Sequence, residues 1–142
     1  MRFWDSSAVV PLVVEEPASA ACRALLATDH AMAVWRLTPV EVISAVRRLE
    51  REGRLDRAGV GVAIARLGAL RDGWVEVTAL DAVADRAIRV LAVHRLTAAD
   101  ALQLAAAVEL GSDRPQDFSF VTRDLRLADE ASRAGFRVHE PS

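Results

Sequence analysis

Four acidic residues lie where predicted strands end or predicted helices begin. Asp5 and Asp124 follow short apolar runs, while Glu41 and Asp100 lie in the first turns of predicted helices. Carboxylate oxygens are the ligands that hard divalent cations such as Mg²⁺ prefer, and one or two carboxylates for each ion suffice. Such cations activate water and stabilise the attacking and leaving oxygens of a phosphodiester. Brought together, these four side chains would therefore be suited to metal-dependent hydrolysis of a phosphodiester.

Three of these acids also fit a purely structural role. Glu41 stands three residues after Thr38, and Asp100 stands three residues after Thr97. This is the spacing of a capping box, in which the acid accepts a hydrogen bond from the backbone N–H of the capping residue. Asp124 is equally well placed to cap its own helix. The spacing alone leaves both readings open.

Asp5 and Asp100 are harder to explain as caps, because both are expected to be buried. Asp5 follows Phe3 and Trp4 directly, and Asp100 stands among alanines and leucines on a helix that we expect to be central. A buried charge is costly unless it is paired or bound to a metal. The chain contains no lysine, so the compensating charge has to be an arginine or a cation.

The rest of the chain predicts the elements that position these acids. Strands are predicted at 2–5, 31–35, 74–78, 118–122 and 136–139, and helices at 6–14, 17–26, 38–52, 55–71, 81–95, 97–109 and 124–134. Segment 111–117 is predicted to be a loop with Asp113 and Asp117 as surface acids. Short apolar strands that alternate with helices are typical of a parallel or mostly parallel sheet covered on both faces. The crevice at the carboxyl ends of such strands is where ligands bind, and all four acids can face it.

Size and composition bound the class of protein. A chain of 142 residues, 52% apolar and 27% charged, predicts one globular domain over residues 1–142. The single cysteine, Cys22, forms no internal disulfide and is expected to be buried. No signal peptide and no apolar run of about 18 residues is visible, which predicts a cytoplasmic protein without a membrane contact. The net charge of −2 does not exclude nucleic acid, since bound cations would reverse its sign.

Several segments in order resemble the PIN-domain family, and more narrowly the VapC toxins of type II toxin–antitoxin pairs. The matching segments are Asp5-Ser6-Ser7, Thr38-Pro39-Val40-Glu41-Val42, Thr97-Ala98-Ala99-Asp100-Ala101-Leu102-Gln103-Leu104-Ala105 and Phe120-Val121-Thr122-Arg123-Asp124-Leu125-Arg126-Leu127. The resemblance spans the whole chain. It implies an α/β, PIN-like fold with a small, mostly parallel sheet of about five strands flanked by helices on both faces.

The resemblance also implies an activity and its residues. It implies a Mg²⁺- or Mn²⁺-dependent endoribonuclease in which a metal-activated water cleaves the RNA. Asp5, Asp100 and Asp124 match metal-binding positions, and Glu41 matches the fourth acid, which binds metal or orients the water. Ser6 and Thr122 match the hydroxyl positions that support these acids.

Partners follow from the same resemblance. The implied substrate is a structured RNA, either tRNA or ribosomal RNA. The implied assembly is a homodimer that a VapB-like antitoxin inhibits by covering the site. Arg36, Arg47, Arg48 and Arg51 are predicted to lie on a solvated helix face, with contact to RNA or to an antitoxin as the alternative.

Three other functions fit parts of the sequence. An aspartate-based phosphotransfer protein would also place an acid after a strand, but Ser7 stands where a second aspartate is typical and no lysine is present. A metal-independent ribonuclease would use the histidines, which are His30, His94 and His139. A catalytically silent PIN-like binding module would use the same acids only as helix caps.

Overall fold

Five short strands form one parallel sheet in the computed structural model, which describes residues 1–112 and 114–142. The strands are β1 (Arg2–Trp4), β2 (Met32–Trp35), β3 (Val75–Val77), β4 (Ser119–Val121) and β5 (Arg137–His139). Their order across the sheet is β3-β2-β1-β4-β5, and every neighbouring pair is parallel. The α/β fold predicted from the alternation of strands and helices is therefore confirmed. The first strand lies at the centre of the sheet, between β2 and β4.

Helices cover both faces of the sheet. They are α1 (Ser6–Val13), α2 (Ser19–Thr28), α3 (Thr38–Arg51), α4 (Arg57–Gly73), α5 (Leu80–Val93), α6 (Ala98–Gly111) and α7 (Leu125–Arg133). Helices α1 to α4 contribute to one apolar cluster, and α5 to α7 contribute to a second cluster on the opposite face. None of the helices in the described part of the chain is both long and apolar enough to cross a bilayer.

Alternation along the central strands explains why both faces are apolar. Successive side chains of a strand point to opposite faces. Accordingly, Phe3 packs in the cluster with α5 to α7, while Trp4 packs in the cluster with α1 to α4. Trp35 is likewise fully buried and Trp74 is 8% exposed, so the tryptophans are core residues, and Cys22 is buried as predicted. With two apolar faces to bury, the central strands read as continuous apolar runs rather than alternating ones.

Helix starts differ from the sequence predictions in several places. Helix α2 begins at Ser19 rather than at position 17, after a turn at Pro17, and α5 begins at Leu80 rather than at position 81. These differences of one or two residues arise because the tertiary contacts, rather than local preference, decide which residue leaves the helical conformation. Helix α1 begins at Ser6 as predicted, and Asp5 caps it.

The predicted loop at 111–117 is partly helical. Helix α6 continues to Gly111, and Pro115–Asp117 form one turn of 3-10 helix. Asp117 is exposed, as predicted for a surface acid. Asp113 lies outside the described residues.

Candidate active site

Asp5 lies at the carboxyl end of the central strand and is almost completely buried. Its side chain is only 2% exposed. Its backbone N–H donates to the carbonyl of Val121 on β4, which extends the ladder by one residue. Its carboxylate accepts a hydrogen bond from the backbone N–H of Ser7 and thereby caps α1. The position at a parallel strand end is the one expected for a ligand-binding residue in this class of fold.

Hydroxyl groups, not a guanidinium, surround the Asp5 carboxylate. Its Oδ2 accepts from Thr122 Oγ1 at 2.9 Å and from Ser7 Oγ. Its Oδ1 lies 3.3 Å from Ser6 Oγ, which donates its proton to Glu41 at the shorter distance of 2.8 Å. Sequence reasoning expected an arginine or a cation here, and no arginine is bonded to Asp5 among residues 1–112 and 114–142. Charge–dipole contacts hold the carboxylate in place, but they do not neutralise it.

Ser7 and Thr122 join the two strand ends that carry acids. The Ser7 hydroxyl accepts from the backbone N–H of Arg123 at 2.8 Å and lies 3.2 Å from Thr122 Oγ1. Thr122 Oγ1 in turn accepts from the N–H of Asp124 at 3.1 Å. Sequence reasoning identified Thr122 and Ser6 but missed Ser7. The signal in the sequence was its place two residues after Asp5, where a helix cap reaches.

Glu41 does not form the predicted capping box. Leu37 is the N-cap of α3, and Thr38 is already helical and fully buried. The Glu41 carboxylate instead accepts from Ser6 Oγ at 2.8 Å and from Gln103 Nε2 at 3.0 Å. The capping interpretation of this acid is therefore wrong, because its side chain turns across the sheet edge toward α1 and α6.

Gln103 is a second residue that sequence reasoning missed. Its side chain is fully buried, and its amide N–H groups reach both Glu41 and Thr38, the latter at 3.1 Å. Within the described residues, its carbonyl oxygen Oε1 has no hydrogen-bond partner. Leaving a buried polar atom unpaired costs about 1–3 kcal/mol. The one available signal was a polar residue three positions after Asp100, on the same side of an apolar helix.

Asp100 and Asp124 begin the two helices on the other face of the sheet. Asp100 is half-buried in the first turn of α6, where its N–H donates to the capping residue Thr97 at 3.2 Å. Asp124 is exposed and caps α7, because its Oδ1 accepts from the N–H of Leu127 at 2.8 Å. The capping role considered for Asp124 is thus present, and it engages one of the two carboxylate oxygens.

The acids influence one another electrostatically. Burial raises the pKa of Asp5 above its ordinary value, although hydrogen bonds from Ser7 and Thr122 oppose the rise, and the charge of Asp100 adds to it. Burial also raises the pKa of Glu41. Hydrogen bonds from Ser6 and Gln103 lower this pKa, and the charges of Asp5 and Asp100 raise it further.

Asp100 follows the same pattern on its own helix. Burial raises its pKa, the hydrogen bond with Thr97 opposes the rise, and the charge of Asp124 raises the pKa further. The arginine Arg126 lowers it by a smaller amount. In all three acids burial is the main cause of the raised pKa, and the charge of a neighbouring acid adds a smaller contribution.

The donor set fits a hard divalent cation. Every donor is a carboxylate oxygen, and Asp5 is buried with a raised pKa and without a cationic partner among the described residues. No three His, Cys, Asp or Glu side chains in that part of the chain converge closely enough to form a metal cage by themselves. Mg²⁺ does not require such a cage, because it keeps several waters and is commonly held by one or two carboxylates.

A cleft of about 570 Å³ adjoins the acids between α1 and α3. It is lined by Ser6, Ser7, Val10, Glu16, Val40, Glu41, Ser44, Ala45, Arg48 and Arg123. The cleft meets the acidic group at Glu41 and at the serines that hold Asp5. Asp5, Asp100 and Asp124 themselves lie outside its lining.

The histidines considered for a metal-independent ribonuclease have other surroundings. His94 Nδ1 is hydrogen-bonded to the buried carboxylate of Glu130. His30 is exposed in the turn before β2, and His139 ends β5. Burial lowers the pKa of His139, and the positive charges of Arg2 and Arg137 lower it further. None of the hydrogen bonds given above for the acids involves a histidine.

The parallel sheet and the acids at its carboxyl edge define an α/β protein with an acidic site, and the chain belongs to the PIN-domain family. The model of that family, the PIN domain, matches residues 2–132. The resemblance stated from the sequence is therefore confirmed at the level of the family.

Individual relatives agree with this assignment. The chain is 35% identical over 140 residues to Ribonuclease VapC46 of Mycobacterium tuberculosis (strain ATCC 25618 / H37Rv), which covers 99% of this chain and 97% of that protein. The fold of this chain is similar to that of FitAcB from Neisseria gonorrhoeae, with a TM-score of 0.69 and 18% identity. The match covers 99% of this chain and 98% of that chain. The fold is also similar to that of VapC20 of Mycobacterium tuberculosis, described as a Sarcin-Ricin loop cleaving toxin, with a TM-score of 0.65, 20% identity and coverage of 96% of each chain.

Proposed function

We propose that this protein is a VapC-like endoribonuclease toxin that hydrolyses RNA with a divalent cation held at the acidic edge of the sheet. The observation that carries the proposal is the buried Asp5 carboxylate, which is held by hydroxyl groups and crowded by Glu41 and Asp100 without a cationic partner among the described residues. The 35% identity to Ribonuclease VapC46 over nearly the whole chain supports the same activity.

Asp5, Asp100 and Asp124 would hold one or two cations, Mg²⁺ or Mn²⁺, with bound waters completing the coordination because the three side chains do not form a cage by themselves. Asp5 presents Oδ1, which is engaged only by Ser6 at 3.3 Å, and Asp124 presents the oxygen that does not cap α7. When bound, such a cation supplies water activation at neutral pH and offsets the charge that develops on the phosphodiester.

The protein's own side chains orient the reactants. Ser7 and Thr122 fix the direction of the Asp5 carboxylate, while Ser6 and Gln103 fix that of Glu41. Glu41 accepts a hydrogen bond from the attacking water and so aims its oxygen at phosphorus. Attack in line forms a new P–O bond and breaks the bond to the 3′ oxygen, which takes up a proton. The products are a 5′-phosphate and a 3′-hydroxyl.

The substrate and partners are proposed from the family. We take residues 1–142 to act as one PIN domain that cleaves a structured RNA, either tRNA or ribosomal RNA. The description of VapC20 as a Sarcin-Ricin loop cleaving toxin supports an RNA loop as the class of target. A VapB-like antitoxin would inhibit the protein by covering the acids, and the active assembly would be a homodimer.

The test is cleavage of total cellular RNA by the protein free of antitoxin. We expect cutting with Mg²⁺ or Mn²⁺ and loss of cutting with chelator. Asp100→Asn should lose about a hundredfold in activity, because replacing even a residue that only supports a metal ligand typically costs about 10- to 100-fold. Asp85→Asn is the matched control, since Asp85 is an exposed acid on α5.

Three results would contradict the proposal. Cutting that persists in chelator would contradict the metal-dependent mechanism and favour a histidine-based one. Full activity in Asp100→Asn would remove that residue from the site. No cutting of any cellular RNA would favour a binding module.

A further inference from the structure

The cleft between α1 and α3 leads away from the acids along one face of α3. Glu41, Ser44, Ala45 and Arg48 all line it. Their spacing of three, four and seven residues places them on one side of the helix. Arg48 lies about 10 Å beyond Glu41 along the axis, at about 1.5 Å per residue. The cleft therefore has a carboxylate at one end and a guanidinium further along the same wall.

Arg48 differs from the other arginine of the cleft. Arg123 is ion-paired with Glu16 at 3.2 Å, and its backbone N–H is bonded to Ser7. The Arg48 side chain is exposed and makes no ion pair or hydrogen bond with any residue of 1–112 or 114–142. Its neighbour Arg47 is paired with Glu50 at 2.9 Å. Among the arginines that line the cleft, Arg48 is thus the one whose donors are not engaged by an acid of the described chain.

The rest of the cleft suits a sugar–phosphate backbone. The Ser44 hydroxyl lies on its wall, beside those of Ser6 and Ser7, which already donate to Glu41 and Asp5. Val10 and Ala45 supply small apolar contacts. A volume of about 570 Å³ lies within the range of pockets that hold small organic groups, and it exceeds what one phosphate needs. Hydroxyl and guanidinium groups are the side-chain donors that commonly contact phosphate and sugar oxygens.

We propose that this cleft holds the RNA strand beside the cleaved bond, and that Arg48 binds a phosphate one or two nucleotides away from it. The inference rests on the proposed ribonuclease function and adds the path of the strand. A guanidinium binds phosphate through two parallel hydrogen bonds, which fixes the register of the strand as well as adding affinity. Arg48 is a positioning residue in this arrangement, because it touches the substrate away from the reacting phosphorus.

The test measures RNA binding separately from cleavage. The Asp100→Asn protein is titrated with a short fluorescein-labelled single-stranded RNA of mixed sequence at several salt concentrations, starting at low salt, where backbone contacts bind most strongly. Arg48→Gln is compared with Arg89→Gln in the same background. Arg89 is the matched control, because it is exposed on α5, on the opposite face of the sheet, and its loss changes the net charge equally.

We expect Arg48→Gln to weaken binding about tenfold at low salt and Arg89→Gln to change it less than twofold. The slope of log affinity against log salt should become less steep by about 0.7 in Arg48→Gln, which is the loss of one phosphate contact on a single strand. Arg48→Lys should bind RNA more tightly than Arg48→Gln but less tightly than the unchanged arginine, because lysine keeps the positive charge but lacks the two parallel donors of a guanidinium. In the active protein, Arg48→Gln should raise KM with a smaller effect on kcat.

Equal affinities and salt slopes in Arg48→Gln and Arg89→Gln would overturn the inference, as would an Asp100→Asn protein that does not bind the RNA at all. Unchanged RNA binding together with weaker antitoxin binding in Arg48→Gln would assign the cleft to a protein partner instead. The proposed function is judged by cleavage in the active protein. Normal cleavage with an unaltered Arg48→Gln salt slope would therefore contradict the strand path alone.

Discussion

The side chains that hold Glu41 set both the direction and the proton affinity of its carboxylate. Ser6 donates a hydrogen bond to one of its oxygens, Oε2, and Gln103 donates a hydrogen bond to the other, Oε1. Hydrogen bonds to the charged form lower a carboxyl pKa, whereas burial raises it, and for Glu41 burial dominates. A carboxylate held this way is ready to orient water only above its raised pKa.

Gln103→Leu should move the acidic limb of the activity profile to higher pH. Removing the amide donor removes a contribution that lowers the pKa of Glu41, so its ionised form appears only at higher pH. We expect kcat at neutral pH to fall about fivefold with little change in KM, since one well-aligned hydrogen bond contributes about 1 kcal/mol. The pH dependence of kcat measures both effects.

Gln116→Leu is the control for this change, because Gln116 is exposed in the turn before β4. Equal melting temperatures would show that Gln103→Leu folds normally. An acidic limb that stays at the wild-type pH would show that Gln103 does not act through Glu41.

At the scale of elements, a mostly buried pair joins the end of α5 to α7, the helix that Asp124 caps. His94 is the C-cap of α5, just before the connection to α6, and it is bonded to Glu130 on α7. Helix α6 begins next to Asp100, and α7 begins at Asp124. The pair therefore ties the end of α5, four residues before α6 begins, to the helix that Asp124 caps.

Glu130→Ala should lower the free energy of unfolding by about 2 kcal/mol at pH 7, because it leaves a mostly buried histidine without its charged partner. His94 holds the pKa of Glu130 below its ordinary value. The stabilisation by ionised Glu130 is thus present above the ordinary pKa and is lost as pH falls through the lowered one. Urea denaturation at neutral and acidic pH measures both values.

Glu15→Ala provides the comparison, since Glu15 pairs with Arg23 on the surface and such pairs contribute little. A Glu130→Ala protein as stable as Glu15→Ala, or a loss that does not diminish at acidic pH, would contradict this role of the pair.

The molecule as a whole buries several carboxyl groups at one edge of its sheet, and burial is the main cause of their raised pKa values. The pKa values of Asp5, Glu41 and Asp100 are all raised. A carboxyl whose pKa is higher in the folded state than in the unfolded state binds its proton more tightly when folded. Its folded state is therefore progressively disfavoured as pH rises from the ordinary pKa through the raised one. At neutral pH without divalent cations, these acids oppose folding.

Asp100→Asn should therefore melt a few degrees higher than the wild-type protein in chelator at pH 7. The difference should disappear below about pH 4, where the acid is protonated in both folded and unfolded chains. Added Mg²⁺ should stabilise the wild-type protein and close the gap, because a ligand that binds only the folded state raises its stability. Thermal unfolding followed by circular dichroism measures these shifts.

Asp85→Asn should melt at the same temperature as the wild-type protein in chelator, and Mg²⁺ should stabilise both proteins equally. A wild-type protein that melts at the same temperature as Asp100→Asn in chelator at pH 7 would contradict the raised pKa of Asp100. A Mg²⁺ effect equal in both proteins would place the cation elsewhere.

The sequence determined the arrangement of elements because its signals are local. Apolar runs of four or five residues separated by helical stretches predicted the five parallel strands, since both faces of a covered sheet are apolar. The place of Asp5 directly after Phe3 and Trp4 predicted a buried acid at a strand end, and Thr97 was predicted correctly as the cap of α6. The order of the four segments gave the PIN-domain family.

Only the tertiary structure decided which groups hold each acid. Glu41 was equally compatible with a capping box and with a functional site, and the choice depended on Gln103, 62 positions away. Asp5 is held by Thr122, which lies 117 positions further along the chain. Spacing within one helix reports which side chains share a face, but it contains no information about the helix that packs opposite. Hydrogen bonds between distant segments exist only once the sheet has brought β1 and β4 together.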